Sequence, residues 1–115
     1  MEQMNRIELR GNVGSVRIQT TNDKKMARFT LATNKAYKDR NGEPVIETTW
    51  HNVSAFEGKN IQNLDRLEKG SKVQVVGRVR IQKIMGLDGN ERTFYDVLAS
   101  KVTLIEDDAP LEFEL

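Results

Sequence analysis

Two large aromatic side chains stand among polar ones in a short alternating stretch near the middle of the chain. Alternate residues of a β-strand share a face, so this stretch divides into two sets. The two sets are Trp50, Asn52, Ser54 and Phe56 on one side and His51, Val53 and Ala55 on the other. The valine and alanine suit a core, which leaves Trp50 and Phe56 in solvent, where nucleic-acid bases can stack on such rings. The alternative is a register shift at a bulge that buries Trp50.

Basic residues accompany these aromatic ones. The stretch from Lys72 onward alternates, and the side opposite its valines carries Arg78 and Arg80, with Lys83 at the end. A charged connection earlier in the chain adds Lys35, Tyr37, Lys38 and Arg40. Basic residues interleaved with aromatic ones form nucleic-acid-binding grooves. The basic side chains neutralise phosphates, and nucleobases stack on the aromatic rings. A charge run on an ordinary solvated face is the alternative interpretation.

Few residues support catalysis. The chain has 0 cysteines and 1 histidine, His51, which excludes a thiol nucleophile and Cys- or His-rich metal sites. None of the 8 glycines begins a phosphate-binding loop of the G-x-x-x-x-G-K-[ST] type. An enzyme that uses His51 as a general base is therefore the weakest alternative. We expect no catalytic residue, no metal and no cofactor.

The near-neutral net charge hides an asymmetry. The 18 basic and 17 acidic residues give +1, but residues 106–115 hold five of the acids and no base. Residues 1–105 thus carry 18 bases against 12 acids, or +6. A basic body suits a polyanionic partner, and an acidic tail would compete with that partner or recruit other proteins. A solvated surface with a frayed acidic end is the alternative.

The periodicity predicts five strands and one helix in 115 residues, the size of a single domain. The predicted strands are Arg6–Ile18, Met26–Asn34, Thr48–Phe56, Lys72–Ile84 and Arg92–Ile105. Ile61, Leu64 and Leu67 recur at helical spacing within 58–67, and Gly70 stands where a helix cap would. A long connection over 35–47 contains the turn signal Asn41-Gly42. The order β-β-β-α-β-β predicts an all-β OB-fold, a five-stranded Greek-key barrel, over residues 1–105.

No apolar run approaches the roughly 20 residues of a membrane-spanning helix. The stretch from Met1 to Arg6 lacks the apolar core of a signal peptide. We therefore expect no membrane partner and a cytoplasmic, nucleoid-associated location.

Residues 5–106 resemble the bacterial single-stranded DNA-binding protein family. The resemblance rests on Leu9-Arg10-Gly11-Asn12-Val13-Gly14, Phe29-Thr30-Leu31-Ala32-Thr33, Thr49-Trp50-His51-Asn52-Val53 with Phe56, and Leu67-Glu68-Lys69-Gly70-Ser71 with Val75-Val76-Gly77. It implies single-stranded DNA wrapped on a homotetramer of OB domains, during replication, recombination and repair. It also implies base stacking on Trp50, Phe56 and Tyr37, phosphate contacts at Arg10, Arg80 and Lys83, and a subunit interface at His51.

The sequence departs from the family pattern at two places. Ile84 stands where the family often has another stacking tryptophan. Asp107-Asp108-Ala109-Pro110-Leu111 follows the barrel almost directly, without the usual Gly/Pro/Gln-rich linker or a terminal Pro-Phe. The resemblance still implies replication and repair proteins as partners of the acidic tail. A primosome-type accessory protein of the same superfamily, a dimer acting mainly through protein partners, is the second interpretation.

Overall fold

The computed structural model describes all 115 residues and contains almost no helix. Its strands are β1 (Ile7–Thr21), β2 (Lys24–Lys38), β3 (Pro44–Phe56), β4 (Lys72–Met85) and β5 (Glu91–Leu104). Hydrogen bonding in the order β1-β2-β3-β5-β4 closes them into one barrel. The predicted all-β barrel of five strands is confirmed.

The first strand closes the barrel because it belongs to two ladders. Its first half pairs antiparallel with β4, from Ile7 opposite Gly77 to Asn12 opposite Lys72. Its second half pairs antiparallel with β2, and the register shifts between Val13 and Val16. Such an irregularity bends a strand, and Gly14 lies within it.

The other joint of the barrel is short and parallel. β3 meets β5 at Val53 opposite Val97 and Ser54 opposite Leu98. β4 and β5 form a long antiparallel hairpin, whose outer end extends beyond the barrel and exposes both of its faces. Val79 and Ile81 lie on the same side of β4 as the buried Val73 and Val75, and they are exposed only because they stand outside the barrel.

The core fills the barrel with aliphatic side chains from every strand. Leu31, Val53, Val73 and Val75 are fully buried. One end of the barrel is covered by three residues from the connection between β3 and β4, namely Ile61, Leu64 and Leu67. The helical spacing of these three residues reflects this covering role.

The predicted helix over 58–67 is wrong, because only a 3₁₀ turn forms, at Leu64–Arg66. Asn63 enters that turn in the left-handed region, with φ 60°, and Leu67 leaves it extended. Gly70, with φ 91°, caps no helix. It occupies a β-turn in which the Ser71 N–H donates to the Glu68 carbonyl at 3.0 Å.

The connection predicted over 35–47 is mostly strand. The β2–β3 ladder continues from Lys35 opposite Glu47 to Lys38 opposite Pro44, so only residues 39–43 form a loop. The Asp39 carboxylate accepts the backbone N–H groups of Asn41 and Glu43, both at 2.9 Å. The hairpin is therefore an ordered arm.

The C-terminal residues lie against the barrel. β1 and β2 separate beyond Asn12 and Ala32, and Asp107 and residues 109–114 line the far side of the resulting opening, which we call the β1–β2 cleft. The Glu114 N–H donates to the Asn34 carbonyl, and the Ala36 N–H donates to the Glu114 carbonyl, each at 2.9 Å. The Lys72 ammonium also bonds the Asp107 carboxylate at 2.8 Å. The segment thus adds a short parallel bridge to the open edge of β2.

Candidate nucleic-acid interface

Pairing of β2 with β3 builds one continuous outer face. The residues that pair on it are Ala32 with Trp50, Thr30 with Asn52, Arg28 with Ser54, and Met26 with Phe56. Trp50 is 59% exposed and Phe56 47% exposed, whereas Val53 and Ala55 on the other side are buried. The alternative register, which would bury Trp50, does not occur.

The bend of β1 supports the Trp50 ring from below. A Cβ atom on Gly14 would stand 2.5 Å from Trp50 Cζ3 and 2.7 Å from Thr30 Oγ1. Only glycine permits that approach. The same Thr30 hydroxyl accepts the Ser15 N–H at 3.0 Å. The indole therefore lies across the bend, with its other side open to solvent.

A hydrogen-bonded ion pair ties three strands together beside this face. Arg80 donates Nε to Asp96 Oδ1 at 2.7 Å and Nη2 to Oδ2 at 3.1 Å. The Ser54 hydroxyl donates to the same Oδ2 at 2.9 Å, which accounts for the burial of Ser54 on an otherwise open face. These bonds hold the pKa of Asp96 below its ordinary value and raise the pKa of Arg80.

An open groove of about 420 Å³ runs past Ser54 and Asp96 and crosses all five strands. Its lining includes Ser15, Arg28, Thr30, Asn52, Ser54, Gln82, Ile84, Phe94 and Asp96. Phe94 is 49% exposed, and Tyr95 beside it is 64% exposed. Neither aromatic was predicted as a site residue, although both lie in the stretch that predicted the last strand.

The hairpin aromatic lies apart from Trp50. Tyr37 pairs with Val45, an odd number of residues from the Ala32–Trp50 pair, so it projects from the opposite side of the β2–β3 ladder. Lys35 shares the side of Tyr37, and Lys38 shares the side of Trp50. Tyr37 is 45% exposed and would meet a ligand only where that ligand turns around the hairpin.

The predicted basic residues are also dispersed. Arg10 bonds Gln74 at 3.0 Å and lines the β1–β2 cleft, away from the groove. Arg78 is exposed opposite Leu98 on the groove side of β4. Lys83 projects from the other side of β4 and lies 3.8 Å from a Glu91 oxygen. Arg80 lies beside the groove, where it bonds the lining residue Asp96, and that carboxylate balances its charge.

Two arginines outside the predicted set of basic site residues face each other on this surface. Arg17 on β1 pairs directly with Arg28 on β2, and both are exposed. Arg28 lines the groove beside Asp96. The pairing could not be predicted, because it depends on the register shift that follows Val13.

His51 projects away from the groove, toward the β1–β2 cleft. Its Nε2 lies 3.0 Å from Thr33 Oγ1, and partial burial lowers its pKa from the ordinary 6.5. No carboxylate lies within 4.0 Å of the ring to orient it as a catalytic base. No group of three His, Cys, Asp or Glu side chains is placed to hold a metal ion. The structure has no helix long and apolar enough to span a membrane.

A closed five-stranded barrel with an open aromatic and polar face defines the class of OB folds. Residues 4–105 match the model of the single-strand binding protein family. The chain therefore belongs to the single-strand binding protein family.

Relatives and solved structures agree with this assignment. The single-stranded DNA-binding protein of Neisseria meningitidis is 33% identical over 105 residues, which cover 89% of this chain and 60% of that protein. The mitochondrial single-stranded DNA-binding protein of Drosophila melanogaster is 28% identical over 107 residues, 90% of this chain and 73% of that one. A Plasmodium falciparum structure, described as a complex with single-stranded DNA, superposes with TM-score 0.78 at 27% identity, covering 92% and 98% of the two chains. This chain spans about 60% of the length of its Neisseria relatives.

Proposed function

We propose that this chain binds single-stranded DNA without sequence preference and without catalysis, and protects it during replication, recombination and repair. The observation that carries the proposal is Trp50, which is more than half exposed above a close-fitting glycine, beside a groove that crosses the barrel. An exposed indole held in one orientation provides a platform for any unpaired base. Phe56 lies farther along the same strand and provides a second platform.

The shape of the site favours a single strand over a duplex. The groove is open and shallow, and its aromatic rings present faces that a base can cover only when it is not already stacked in a duplex. Ser, Thr, Asn and Gln side chains line its floor, so bases of any identity find hydrogen-bonding partners. The relatives named for single-stranded DNA binding support the same ligand.

Assembly into a homotetramer is part of the proposal, with His51 at a subunit interface. The supporting observation is that His51 lies half-buried, away from the groove, so a partner subunit could cover it without obstructing the DNA. Tyr37, Lys35 and Lys38 would contact the strand where it passes around the hairpin between subunits. The acidic C-terminal residues would contact replication and repair proteins, in a cytoplasmic, nucleoid-associated location.

The single tryptophan gives a direct test. The protein is titrated with a long oligo-dT while Trp50 emission is followed at two salt concentrations, with duplex DNA of the same length as control. We expect strong quenching by oligo-dT, weaker binding at the higher salt and no quenching by duplex. Unchanged emission, together with no retention of labelled oligo-dT on a filter, would reject the proposal and favour the accessory-protein interpretation.

A further inference from the structure

Arg17 and Arg28 place two like charges next to each other on the sheet, an arrangement that destabilises a pair of strands. Arg17 and Arg28 pair directly across β1 and β2, and directly opposed side chains have Cβ atoms about 4.5–5.5 Å apart. Like charges at such positions repel. Neither guanidinium has a carboxylate within 4.0 Å.

The carboxylate on this face that lies near Arg28 is Asp96, and its oxygens already accept hydrogen bonds from other residues. Asp96 is close enough for Arg28 to help lower its pKa. Both carboxylate oxygens of Asp96, however, accept hydrogen bonds from Arg80, and one also accepts the Ser54 hydroxyl. Arg80 is thus balanced by its own carboxylate, whereas Arg17 and Arg28 keep two unbalanced positive charges at the edge of the groove.

We propose that Arg17 and Arg28 form the principal phosphate-binding pair of this face, holding one phosphodiester group of the bound strand between them. This inference rests on the function proposed above and adds where the backbone runs. The backbone crosses the β1–β2 side of the groove, and Arg80 serves as a positioning residue for Asp96 and Ser54 without contacting phosphate.

The geometry suits a phosphodiester. Two guanidinium forks on adjacent strands offer parallel N–H donors to two phosphate oxygens, and a bound phosphate cancels the repulsion between the arginines. Arg28 lies four residues from Ala32, the partner of Trp50, on the same side of β2. That spacing is about 13 Å, so a strand held at the pair can reach the indole with a neighbouring base.

The test compares variants that remove two charges from different places. Arg17→Gln with Arg28→Gln removes the proposed pair, and Lys59→Gln with Lys101→Gln removes two exposed charges that line a separate groove. Each phosphate contact on a single strand contributes about 0.7 to the slope of log affinity against log salt. We expect the arginine variant to lower that slope by about 0.7, the value for the one phosphate that the pair holds, and the lysine variant to leave it near the wild-type value.

Stability separates a binding role from a structural one. Removal of one of two repelling charges leaves the free energy of unfolding unchanged or raises it, so Arg17→Gln should weaken DNA binding while keeping or increasing resistance to urea. A loss of stability in this variant would indicate a structural pair and overturn the inference.

A third variant tests Arg80 directly. Arg80→Gln with Asp96→Asn removes the ion pair without changing net charge, and we expect the salt slope to stay at the wild-type value. A slope that falls here and not in the arginine-pair variant would return the phosphate contact to Arg80 and reject our assignment. Wild-type protein that fails to bind oligo-dT would instead reject the proposed function itself.

Discussion

At the scale of single residues, the contact between Gly14 and Trp50 determines how the indole is presented. In Gly14→Ala, the new methyl group would overlap the ring, because its position lies 2.5 Å from Trp50 Cζ3. The exposed ring can swing outward, but Thr30 Oγ1, 2.7 Å from the same position, must also shift. We therefore expect a loss of about 1–3 kcal/mol in the free energy of unfolding. The displaced indole should emit at longer wavelength and bind oligo-dT more weakly.

A matched glycine provides the control for this substitution. A Cβ atom on Gly58 would meet nothing closer than 3.9 Å, so Gly58→Ala adds the same methyl group in open space. Emission and oligo-dT affinity should remain at wild-type values in this variant. Equal effects of the two substitutions would contradict a specific role of Gly14 in holding Trp50.

His51 gives the native state a pH dependence of defined sign. Burial lowers its pKa below the ordinary 6.5 in the folded chain, so the unfolded chain takes up the proton first as pH falls. The stabilising contribution of neutral His51 is complete above about pH 6.5 and is lost as pH falls toward the folded-state pKa.

Urea unfolding at about pH 7.5 and about pH 5.5 measures this effect above the range in which most carboxylates titrate. The wild-type chain should lose stability between the two values, and His51→Gln should lose less. The glutamine retains a polar group near Thr33, which makes it the conservative replacement. An identical pH dependence in the two proteins would show that the imidazole is not responsible.

At the scale of elements, the C-terminal segment restrains the open edge of β2. In Glu114→Pro, the N–H that donates to the Asn34 carbonyl is lost and the neighbouring bond to Ala36 is weakened. We expect the free energy of unfolding to fall by about 1 kcal/mol. The Ala36 amide should exchange with solvent faster, as hydrogen exchange resolved by NMR would detect.

The control introduces proline two residues earlier, at position 112. The backbone N–H of Glu112 makes no hydrogen bond within the chain, so Glu112→Pro leaves the bridge to β2 intact. Ala36 exchange should stay slow in this variant. Fast exchange of the Ala36 amide in the unsubstituted protein would show that the segment does not hold this edge in solution.

The elements also show where sequence patterns succeed and fail. Periodicity of the apolar residues located all five strands, because the part of each strand within the barrel has one face in the core. The spacing of Ile61, Leu64 and Leu67 predicted a helix, but it records which side chains cover the barrel end. The strands of the β2–β3 hairpin were predicted too short, because outside the barrel neither face of this hairpin is consistently apolar.

At the scale of the whole molecule, the order of elements predicted the barrel, and the alternation within β3 predicted which side Trp50 occupies. Features that depend on two distant segments were not predicted. The Arg17–Arg28 pair requires the register beyond the bend, and the Asp96 ion pair requires β4, β5 and β3 together. Docking of the C-terminal segment requires the separation of β1 from β2, which no local pattern indicates.

The charge separation between barrel and C-terminal segment should control affinity for a polyanion. Substitution of all five acids in residues 106–115 by their amides raises the net charge from +1 to +6. Such a segment no longer repels phosphates near the hairpin, and Lys72 loses its carboxylate partner Asp107. We expect oligo-dT affinity to rise by on the order of tenfold at low salt.

Two comparisons identify the cause of the higher oligo-dT affinity: its dependence on salt, and a variant in which the order of residues 106–115 is scrambled. The difference from wild type should shrink as ionic strength rises, since the screening length falls from about 30 Å at 0.01 M to about 10 Å at 0.1 M. A scrambled segment with the same five acids keeps the charge but loses the ordered bridge to β2. If charge is the cause, the scrambled protein binds oligo-dT like wild type at every salt concentration. If it binds like the amide variant, the docked position of the segment on β2, and not its charge, limits access to the DNA.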